Sequence, residues 1–516
     1  MARWGVVLLV FAVIPGTLRA ENPPTPVSAE VSEAEKVALD RISADSLRGH
    51  LSFLASDLLE GRGTPSRGLD IAAEYIAAQF RRAGLEPIGD DGYFQTADWK
   101  YLAPDLSSFV CEVKLGSETI RIGGDRASGF FAKALDLSAA PTFKIDATDA
   151  EGLRKLTPEA IAGKVVLAEV PHPYKVSSDR IAETNRARIA FLTRMDALKP
   201  LLIVDVERDV EGVMGLRRDG LGRRVSRPSG SPEMVRLHSA ELARMFDALP
   251  AGTTEATLAL RVGEPTERTA KVRNVLGVLR GSDPELKETY VILSAHYDHL
   301  GIGPHNGSGD RIFNGANDDG SGTVSVIEIA SALATLNPHP KRSILFATFY
   351  GEEHGLVGSR YYAEHPAVPL DKTVAAINLE QLGRTDDSEG LRVSAATVTG
   401  YSFSDVGPLL RRAGASVGVD VSEHPTKSDA YFQASDNASL ARAGVPAHTI
   451  SVAFAFPDYH GADDEWEKID YANMVKVDRM AALGLLEIAD GPAPSWNKNN
   501  PKATPFLPKQ KASPSR

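Results

Sequence analysis

Apolar positions recur at helical spacing in the first part of the chain. Between Ser43 and Gly84 they repeat every three to four residues, as in Leu47, Leu51 and Leu54, which predicts two amphipathic helices. Gly84 follows the second of these, where a glycine commonly ends a helix. We therefore expect the folded protein to begin with helices.

Short alternations of apolar and polar residues replace that spacing over residues 110–262. Lys164–Val170 and Leu201–Val206 are predicted strands, and a helix is predicted over Ser239–Leu249. We interpret this block as a small β-rich domain inserted into a larger one.

After Arg273, apolar strands alternate with helical segments, the pattern of an α/β protein with a mainly parallel sheet. Buried strands are predicted over Tyr290–Ala295, Ser343–Tyr350, Val374–Leu379 and Ala447–Ala453. A helix is predicted to begin near Ser321. The fold class is thus α/β: a mixed, mainly parallel sheet with helices on both faces, plus the β-rich insertion.

The length of 516 residues would suit about three domains of roughly 150 residues each, but the patterns divide it differently. Residues 21–109 and 263–489 form one α/β domain around the insertion. Residues 490–516 are rich in Pro, Lys, Asn and Ser, which predicts a disordered basic tail. Hydrophobic residues make up 43% and charged residues 24%, which excludes a wholly disordered or multi-span membrane protein.

Residues 1–20 have the features of a secretory signal peptide. Arg3 precedes an apolar run from Gly5 to Pro15, and the small residue Ala20 follows. No cysteine comes directly after the run, so we expect no lipid anchor, and no later segment has the about 18 uninterrupted apolar residues of a membrane span. The sequence predicts a secreted or periplasmic protein without stable membrane insertion, the alternative being an uncleaved N-terminal anchor.

The formal net charge is -11, and loss of Arg3 and Arg19 with the signal peptide would leave -13. This balance argues against nucleic acid as a partner. The single cysteine, Cys111, excludes an intramolecular disulfide. Core packing or bound metal must therefore supply the stability.

Histidines and carboxylates follow the predicted strands of the α/β domain where each strand ends. They are His296 and Asp298 after the first strand, Asp318 in the glycine-containing loop before the helix, Glu352 and Glu353 after the second strand, Glu380 after the third and His460 beyond the fourth. Ligands of open parallel α/β sheets gather outside the carboxyl ends of the strands. We therefore expect these side chains to converge on one edge.

Imidazoles and carboxylates without thiolates are typical ligands of zinc, with manganese or cobalt as alternatives. One metal needs about three protein ligands plus water, so two imidazoles and three or more carboxylates fit two metals that share a bridging carboxylate better. Such a pair can generate hydroxide at neutral pH and stabilise both oxygens of a hydrolytic step. In the adjacent pair Glu352 and Glu353, one glutamate can bind metal while the other acts as general base.

Five segments in this order resemble the di-zinc aminopeptidase family, which includes bacterial leucyl aminopeptidases, aminopeptidase Y, glutamate carboxypeptidases, glutaminyl cyclases and transferrin receptors. They are Ser294–Gly301, Asn314–Gly322, Phe349–Ser359, Ile377–Glu380 and Asp458–His460 with the following Asp463–Ile469. The similarity covers residues 43–100 and 272–488. It implies a phosphorylase/hydrolase-like fold, peptide substrates and two Zn²⁺ per chain, with Mn²⁺ or Co²⁺ as substitutes.

The resemblance also implies which residues hold the metals. Asp318 would bridge them, Glu353 and His460 would hold one, and His296 and Glu380 would hold the other. Glu380 departs from the family, which more often has aspartate there. The extra methylene of Glu380 can reach the same metal if the strand recedes slightly.

The remaining implied roles concern catalysis. Glu352 would be the general base, Asp298 would orient His296, and Tyr459 would polarise the scissile carbonyl. His299 lies close to the same motif, where we expect a structural or supporting role. The insertion resembles a protease-associated domain through Ala162–Leu167, and we expect it to wall or gate the cleft.

The predicted function is an exported zinc-dependent exopeptidase, an aminopeptidase that hydrolyses N-terminal residues of peptides. Two alternatives stay open. One is a glutaminyl-peptide cyclase, which in relatives tends to use a single zinc, and the other is a non-catalytic receptor-like binding protein on the same fold. The sequence does not determine the oligomeric state.

Overall fold

The computed structural model describes residues 31–131, 133–172, 180–208, 232–303 and 310–508, so the predicted signal peptide lies outside the described residues. The helices within these ranges are α1 (Glu33–Leu39), α2 (Ala44–Leu54), α3 (Arg67–Arg82), α4 (Ala150–Lys155), α5 (Pro158–Ile161), α6 (Ile181–Leu198), α7 (Ala240–Ala248), α8 (Gly322–Leu333), α9 (Val357–Glu364), α10 (Val406–Val417), α11 (Lys427–Ala430), α12 (Asn437–Arg442) and α13 (Tyr471–Asp490).

The strands within the same ranges are β1 (Glu86–Pro87), β2 (Phe94–Leu115), β3 (Glu118–Arg121), β4 (Ala127–Phe130), β5 (Leu135–Lys144), β6 (Val165–Ala168), β7 (Leu202–Glu207), β8 (Met234–His238), β9 (Gly252–Leu279), β10 (Tyr290–His296), β11 (Gly301–Ile302), β12 (Ile312–Phe313), β13 (Ser343–Phe349), β14 (Thr373–Leu379), β15 (Asp386–Asp387), β16 (Gly390–Leu391), β17 (Ala395–Val398), β18 (Asp420–Ser422) and β19 (Ala447–Ser451).

The elements predicted for the α/β domain are confirmed. The Ser43 and Ser66 hydroxyls cap α2 and α3 by accepting hydrogen bonds from backbone N–H groups of the first turn. β10, β13, β14 and β19 agree with the four predicted strands to within two residues, and α8 begins directly after Ser321. Apolar periodicity was a sufficient signal here because these elements are buried.

Fifteen strands of the described chain form one sheet in the order β18-β17-β19-β14-β10-β13-β9-β5-β6-β7-β8-β4, with β1, β2 and β3 attached beside β9 and β2. β10 is parallel to both β13 and β14, and β14 is parallel to β19. β9 is antiparallel to β13, and β17 is antiparallel to β19. The part that belongs to the α/β domain is therefore mixed and mainly parallel, as predicted.

Helices cover both faces of this sheet. Val291 and Leu293 of β10 pack with α2, α3, α8 and α13, whereas Ile292 packs with α9 and α12. Successive side chains of a strand point to opposite faces, so both sides of β10 must be apolar when both are covered. This is why the strand reads as an unbroken apolar run.

Two long antiparallel strands, β2 and β9, connect the α/β domain to the insertion. They contain 22 and 28 residues, so the boundaries predicted at residues 110 and 262 fall inside strands. The insertion also contains more helix than predicted, notably the 18-residue α6. Its buried residues Phe191, Met195 and Leu198 follow helical spacing, but the polar residues between them hide the pattern.

The prediction of a disordered tail is wrong for residues 490–508. Trp496, Ala503 and Phe506 are buried in the core beside α12. The composition predicted disorder because these apolar residues have no regular spacing and are outnumbered by polar ones. Residues 509–516 lie outside the described residues. Across the described chain, no helix combines the length and the apolar character needed to cross a membrane.

Candidate metal centre and active site

The predicted histidines and carboxylates lie at the carboxyl ends of β10, β13 and β14. His296 is the last residue of β10, Glu352 and Glu353 follow β13, and Glu380 directly follows β14. These strands are parallel neighbours, so their ends share one edge of the sheet. The structure therefore brings together the side chains that the sequence placed at strand ends.

Asp318 reaches this edge from the π-helical segment Ala316–Ser321, which leads into α8. The buried Asp464 carboxylate accepts hydrogen bonds from the backbone N–H groups of Asn317 at 3.0 Å and Asp318 at 3.1 Å. The peptide bond between Asp318 and Asp319 is cis. Asp464 thus fixes the backbone from which the Asp318 side chain projects.

His460 comes from the loop beyond β19. Asp458 in this loop accepts hydrogen bonds from Arg384 Nη1 at 2.6 Å and Lys468 Nζ at 3.1 Å. The Tyr459 ring stacks on the His460 ring with a centroid distance of 4.0 Å. Arg384 follows β14 closely, so the ion pair joins the loop to the same sheet edge.

Asp318 lies between the two imidazoles. Its Oδ1 is 3.3 Å from His296 Nε2, and its Oδ2 is 3.1 Å from His460 Nε2. His296 Nε2 is also 3.3 Å from Glu380 Oε1, and His460 Nε2 is 3.4 Å from Glu353 Oε2. Two groups of donor atoms therefore share the carboxylate of Asp318.

These separations suit zinc. Zinc bonds of about 2.0–2.2 Å in a tetrahedral site place the ligand atoms about 3.3–3.6 Å apart, and the four separations are 3.1–3.4 Å. The donors are imidazole nitrogens and carboxylate oxygens, which zinc accepts readily. The residues present therefore fit zinc in both their donor atoms and their separations.

His299 also lies near this site. Its Nδ1 is 2.8 Å from Glu353 Oε1, which is shorter than the separation of two ligand atoms on one zinc ion. The contact is poorly aligned for a hydrogen bond, and Nε2 has no hydrogen-bond partner among the described residues. His299, Asp318 and Glu353 could hold a metal by proximity alone. The spacings favour His460 as the ligand and His299 as a support for Glu353.

The resemblance implies that Asp298 orients His296, and both its carbonyl oxygen and its carboxylate lie near the imidazole Nδ1. His296 Nδ1 is 3.1 Å from the Asp298 carbonyl oxygen but 3.6 Å from its carboxylate. The carboxylate also accepts hydrogen bonds from the Glu352 backbone N–H and the Thr64 hydroxyl, both at 3.1 Å. Asp298 thus holds the imidazole through its main chain and the Glu352 backbone through its side chain.

Burial and charge perturb the titration of these groups. Burial opposes protonation of His296, but the carboxylates of Glu380, Asp298 and Asp318 outweigh it and raise its pKa. Burial raises the pKa of Glu352, and Glu380 and Glu353 add to that rise, against the lowering effect of His296. A bound divalent cation would favour the ionised carboxylates and neutral imidazoles.

A cavity of about 120 Å³ opens beside the donor atoms. Its lining consists of Asp318, Glu352, Glu380, Gln381, Thr399, Tyr431, Ala434, Ser435, Thr449, Phe454, Tyr459 and His460. The rings of Tyr431 and Phe454 stack at a centroid distance of 5.1 Å and form one wall. Within the described residues, no lysine or arginine belongs to this lining.

Sequence reasoning missed three residues that support the site. Asp464 holds the Asp318 backbone, and the Ser435 hydroxyl donates to Glu380 Oε2. The buried Arg62 guanidinium donates to the backbone carbonyls of Tyr297, Asn314 and Gly315. These roles depend on the direction of distant backbone groups. Only the glycines on both sides of Arg62 hint at close packing in the sequence.

Comparison with known proteins finds a family model that matches most of the α/β region after the insertion. Residues 274–484 match the model described as peptidase family M28. A probable lipoprotein aminopeptidase, LpqL, of Mycobacterium tuberculosis is 25% identical over 397 residues, which cover 73% of this chain and 67% of the relative. A vacuolar membrane protease of Verticillium alfalfae is 30% identical over 246 residues, covering 44% of this chain and 21% of the relative. The chain thus spans only about a fifth of the fungal protein.

A solved structure extends the comparison to the fold. A zinc aminopeptidase from Bacillus subtilis aligns with a TM-score of 0.58 at 17% identity, covering 91% of this chain and 99% of the bacterial one. At this identity the similarity establishes the fold. It covers the insertion as well as the α/β domain.

Proposed function

Because residues 274–484 match peptidase family M28, we propose that the chain is a zinc-dependent exopeptidase, an aminopeptidase that releases N-terminal residues from peptides. One observation carries the proposal: the Asp318 carboxylate lies 3.1–3.3 Å from two imidazoles, beside a cavity lined by further carboxylates. Such an arrangement suits a pair of hydrolytic metal ions.

Five side chains would hold the metal ions. His296, Asp318 and Glu380 form one set of donors, and Asp318, Glu353 and His460 form the other. When bound, two zinc ions would lower the pKa of a water molecule and polarise the carbonyl group of the scissile peptide bond.

Glu352 is the proposed general base. Its carboxylate lines the cavity, with Oε2 4.0 Å from His296 Nε2, and the hydrogen bond from its backbone N–H to Asp298 fixes its position. From there it would take a proton from the attacking water and pass it to the leaving amine. Its neighbour Glu353 points to the metal side, so the adjacent pair divides the two tasks.

Tyr459 is the proposed donor to the developing oxyanion. Burial, together with the carboxylates of Asp318 and Glu353, raises the pKa of its phenol. The group therefore keeps its proton and can donate a hydrogen bond to the substrate oxygen that gains negative charge. Stacking on His460 holds the ring beside the cavity.

The charge of the cavity favours an amino terminus over a carboxyl terminus. Glu352, Glu380, Asp318 and the adjacent Glu353 would offset the four positive charges of two zinc ions. A substrate α-carboxylate would find no arginine or lysine in the described lining, whereas a terminal ammonium group can approach the glutamates.

The size of the cavity suits a single terminal residue. Its volume of about 120 Å³ is below the roughly 300–1,000 Å³ of pockets for drug-sized ligands.

The proposal includes export and a role for the insertion. The apolar run Gly5–Pro15 supports removal of residues 1–20 and a secreted or periplasmic location, which cell fractionation with N-terminal sequencing would test. The insertion, which the long strands β2 and β9 join to the α/β domain, is proposed to wall or gate the cleft.

A peptide panel with and without a zinc chelator, followed by mass spectrometry of the products, tests the function. We expect chelator-sensitive loss of single N-terminal residues and about two zinc ions per chain. Loss of C-terminal residues would point to a carboxypeptidase. Cyclised N-terminal glutamine with about one zinc would identify a glutaminyl cyclase, and peptide binding without any product would identify a receptor-like protein.

A further inference from the structure

We infer that residues 491–508, here called the C-terminal segment, shape the substrate cavity and set the side-chain preference of the enzyme. The inference rests on the proposed aminopeptidase function. The match to the family model ends at residue 484 and α13 ends at Asp490, so this segment lies beyond both. Its aromatic residues pack behind the part of the cavity wall that contains Tyr431 and Thr449.

Phe432 is where the C-terminal segment meets that wall. Its side chain is almost fully buried, and its ring centroid lies 4.9 Å from that of Phe506 and 6.4 Å from that of Trp496. Phe403 at 4.8 Å and His448 at 5.6 Å complete the cluster. Two of these four neighbouring rings therefore come from the C-terminal segment.

The ring cluster is directly connected to residues that line the cavity. Tyr431 precedes Phe432, and Thr449 follows His448 in the chain. His448 Nδ1 donates a hydrogen bond to the carbonyl oxygen of Thr399, a third lining residue, at 2.8 Å. The inner side of this wall thus faces the cavity, while its outer side rests on Trp496 and Phe506 through the cluster.

Polar contacts hold the C-terminal segment in place. Trp496 Nε1 donates to the Gly444 carbonyl oxygen at 2.9 Å. Lys502 Nζ donates to Asp429 Oδ2 at 2.5 Å, and Asp429 lies in α11, two residues before Tyr431. The segment is therefore tied to α11 and to Gly444, which precedes β19.

Replacement of Trp496 by a smaller residue should change the cavity without removing any group near the metals. A buried aromatic ring leaves a void when it is truncated, and neighbouring side chains relax into it. Phe432 would move outward and draw Tyr431 with it, which widens the cavity. Since one methylene in a binding pocket changes discrimination by about tenfold or more, we expect a shift of similar size toward larger terminal side chains.

The test uses the full zinc-loaded chain with Trp496→Leu, Phe506→Leu and a control, Phe246→Leu. Phe246 is similarly buried but lies in the insertion core. The readout is the ratio of kcat/KM for phenylalanyl and alanyl nitroanilides, which does not depend on the active fraction, together with zinc content. We expect Trp496→Leu to raise the ratio about tenfold at unchanged zinc content, and Phe246→Leu to leave the ratio unchanged.

Hydrogen exchange of residues 427–435 and 448–449 provides a readout independent of activity. We expect faster exchange there in Trp496→Leu and Phe506→Leu, and wild-type exchange in Phe246→Leu. A wild-type substrate ratio in both folded variants, or unchanged exchange in these segments, would overturn the inference. If wild-type protein hydrolyses no nitroanilide, the proposed function fails, and hydrogen exchange still decides whether the C-terminal segment supports the wall.

Discussion

Two edges of parallel strands in this protein carry the same types of side chain but different balancing charges. The set in the α/β domain consists of His296, Asp318 and Glu380, and the set in the insertion consists of His172, Asp205 and Glu207. Within each set, the potential ligand atoms lie within 4.8 Å of one another. In each set, members lie at or near the carboxyl ends of parallel strands: His296 ends β10 and Glu380 follows β14, whereas Asp205 and Glu207 lie in the last part of β7. Ligand type and topology alone therefore do not distinguish them.

Arginines distinguish the insertion cluster. Arg236 Nε lies 3.0 Å from Asp205 Oδ2 and 3.5 Å from Glu207 Oε1, and Arg188 Nη1 lies 2.9 Å from His172 Nδ1. The Arg236 guanidinium thus supplies the positive charge that a metal ion would otherwise bring.

The metal centre contains no such compensation. Within the described residues, the ion pairs of Asp318, Glu353 and Glu380 are all with histidines. Buried carboxylates without a cation are costly, and bound metal would supply the charge that balances them. Carboxylates that no arginine or lysine neutralises therefore distinguish the candidate metal centre from the insertion cluster.

The largest expected effect is on catalysis at the metal centre. Glu352→Gln should lower kcat by about 10²–10⁴-fold, the usual contribution of a general base, and should retain zinc because Glu352 is outside both donor sets. Steady-state assays on a leucyl substrate and zinc analysis check this. The matched variant Glu353→Gln should lose zinc as well as activity. Near-wild-type turnover in Glu352→Gln would remove Glu352 from the mechanism.

The next largest effect concerns the insertion cluster. Arg236→Ala should destabilise the protein by about 3–5 kcal/mol, because it leaves buried carboxylates without their partner. The exposed pair of Arg261 and Asp136 provides the control, since Arg261→Ala should cost about 1 kcal/mol or less. Urea unfolding measures both. Equal midpoints for the two variants would mean that the buried Arg236 stabilises the folded protein no more than the exposed Arg261 does.

His299→Ala tests whether a supporting imidazole strengthens the metal centre. Loss of a group that orients a metal ligand typically weakens binding by about 10–100-fold, and His299 contacts the Glu353 carboxylate. Competition with a chromophoric chelator measures zinc affinity. His172→Ala in the insertion should leave zinc affinity and stoichiometry unchanged. A loss of zinc in that control would make the insertion a metal site after all.

The pH dependence of stability should also differ between the two regions. Burial raises the pKa of Asp478 in α13 to about 8, whereas burial of Asp205 is outweighed by His172 and Arg236, which lower its pKa. The folded state therefore binds more protons than the unfolded state at Asp478 between about pH 4 and 8. Stability falls there as pH rises, by up to about 1.4 kcal/mol per pH unit.

The pKa of Asp205 has the opposite consequence. Its contribution to stability is present above the unfolded pKa and is lost as pH falls through the lower folded value.

The titration of Asp478 can be tested by substitution. Urea midpoints at pH 5, 7 and 8.5 should show that Asp478→Asn becomes more stable relative to wild type as pH increases. Parallel curves for the two proteins would show that Asp478 does not titrate in this range.

Much of the metal centre could be predicted because it depends on chain direction. His296, Glu353 and Glu380 follow strands that parallel pairing places side by side, so their positions after each strand predicted one common edge. His460 was predicted from its place beyond the fourth strand, although the loop that carries it extends well past the end of β19. The supporting contacts of Asp464 and Ser435 could not be predicted, because they depend on backbone and side-chain directions at distant points in the chain.

The sequence by itself determined the α/β pattern, the five N and O donors and the acidic balance, since apolar period and residue chemistry are local properties. Tertiary structure decided which acidic clusters stay unbalanced and whether residues 490–508 are ordered. Arg236 compensates Asp205 only because β7 and β8 are paired, and Trp496 is buried only because Phe432 and Gly444 are beside it. Burial and counter-charge arise from contacts between remote segments, and no local pattern of residues encodes those contacts.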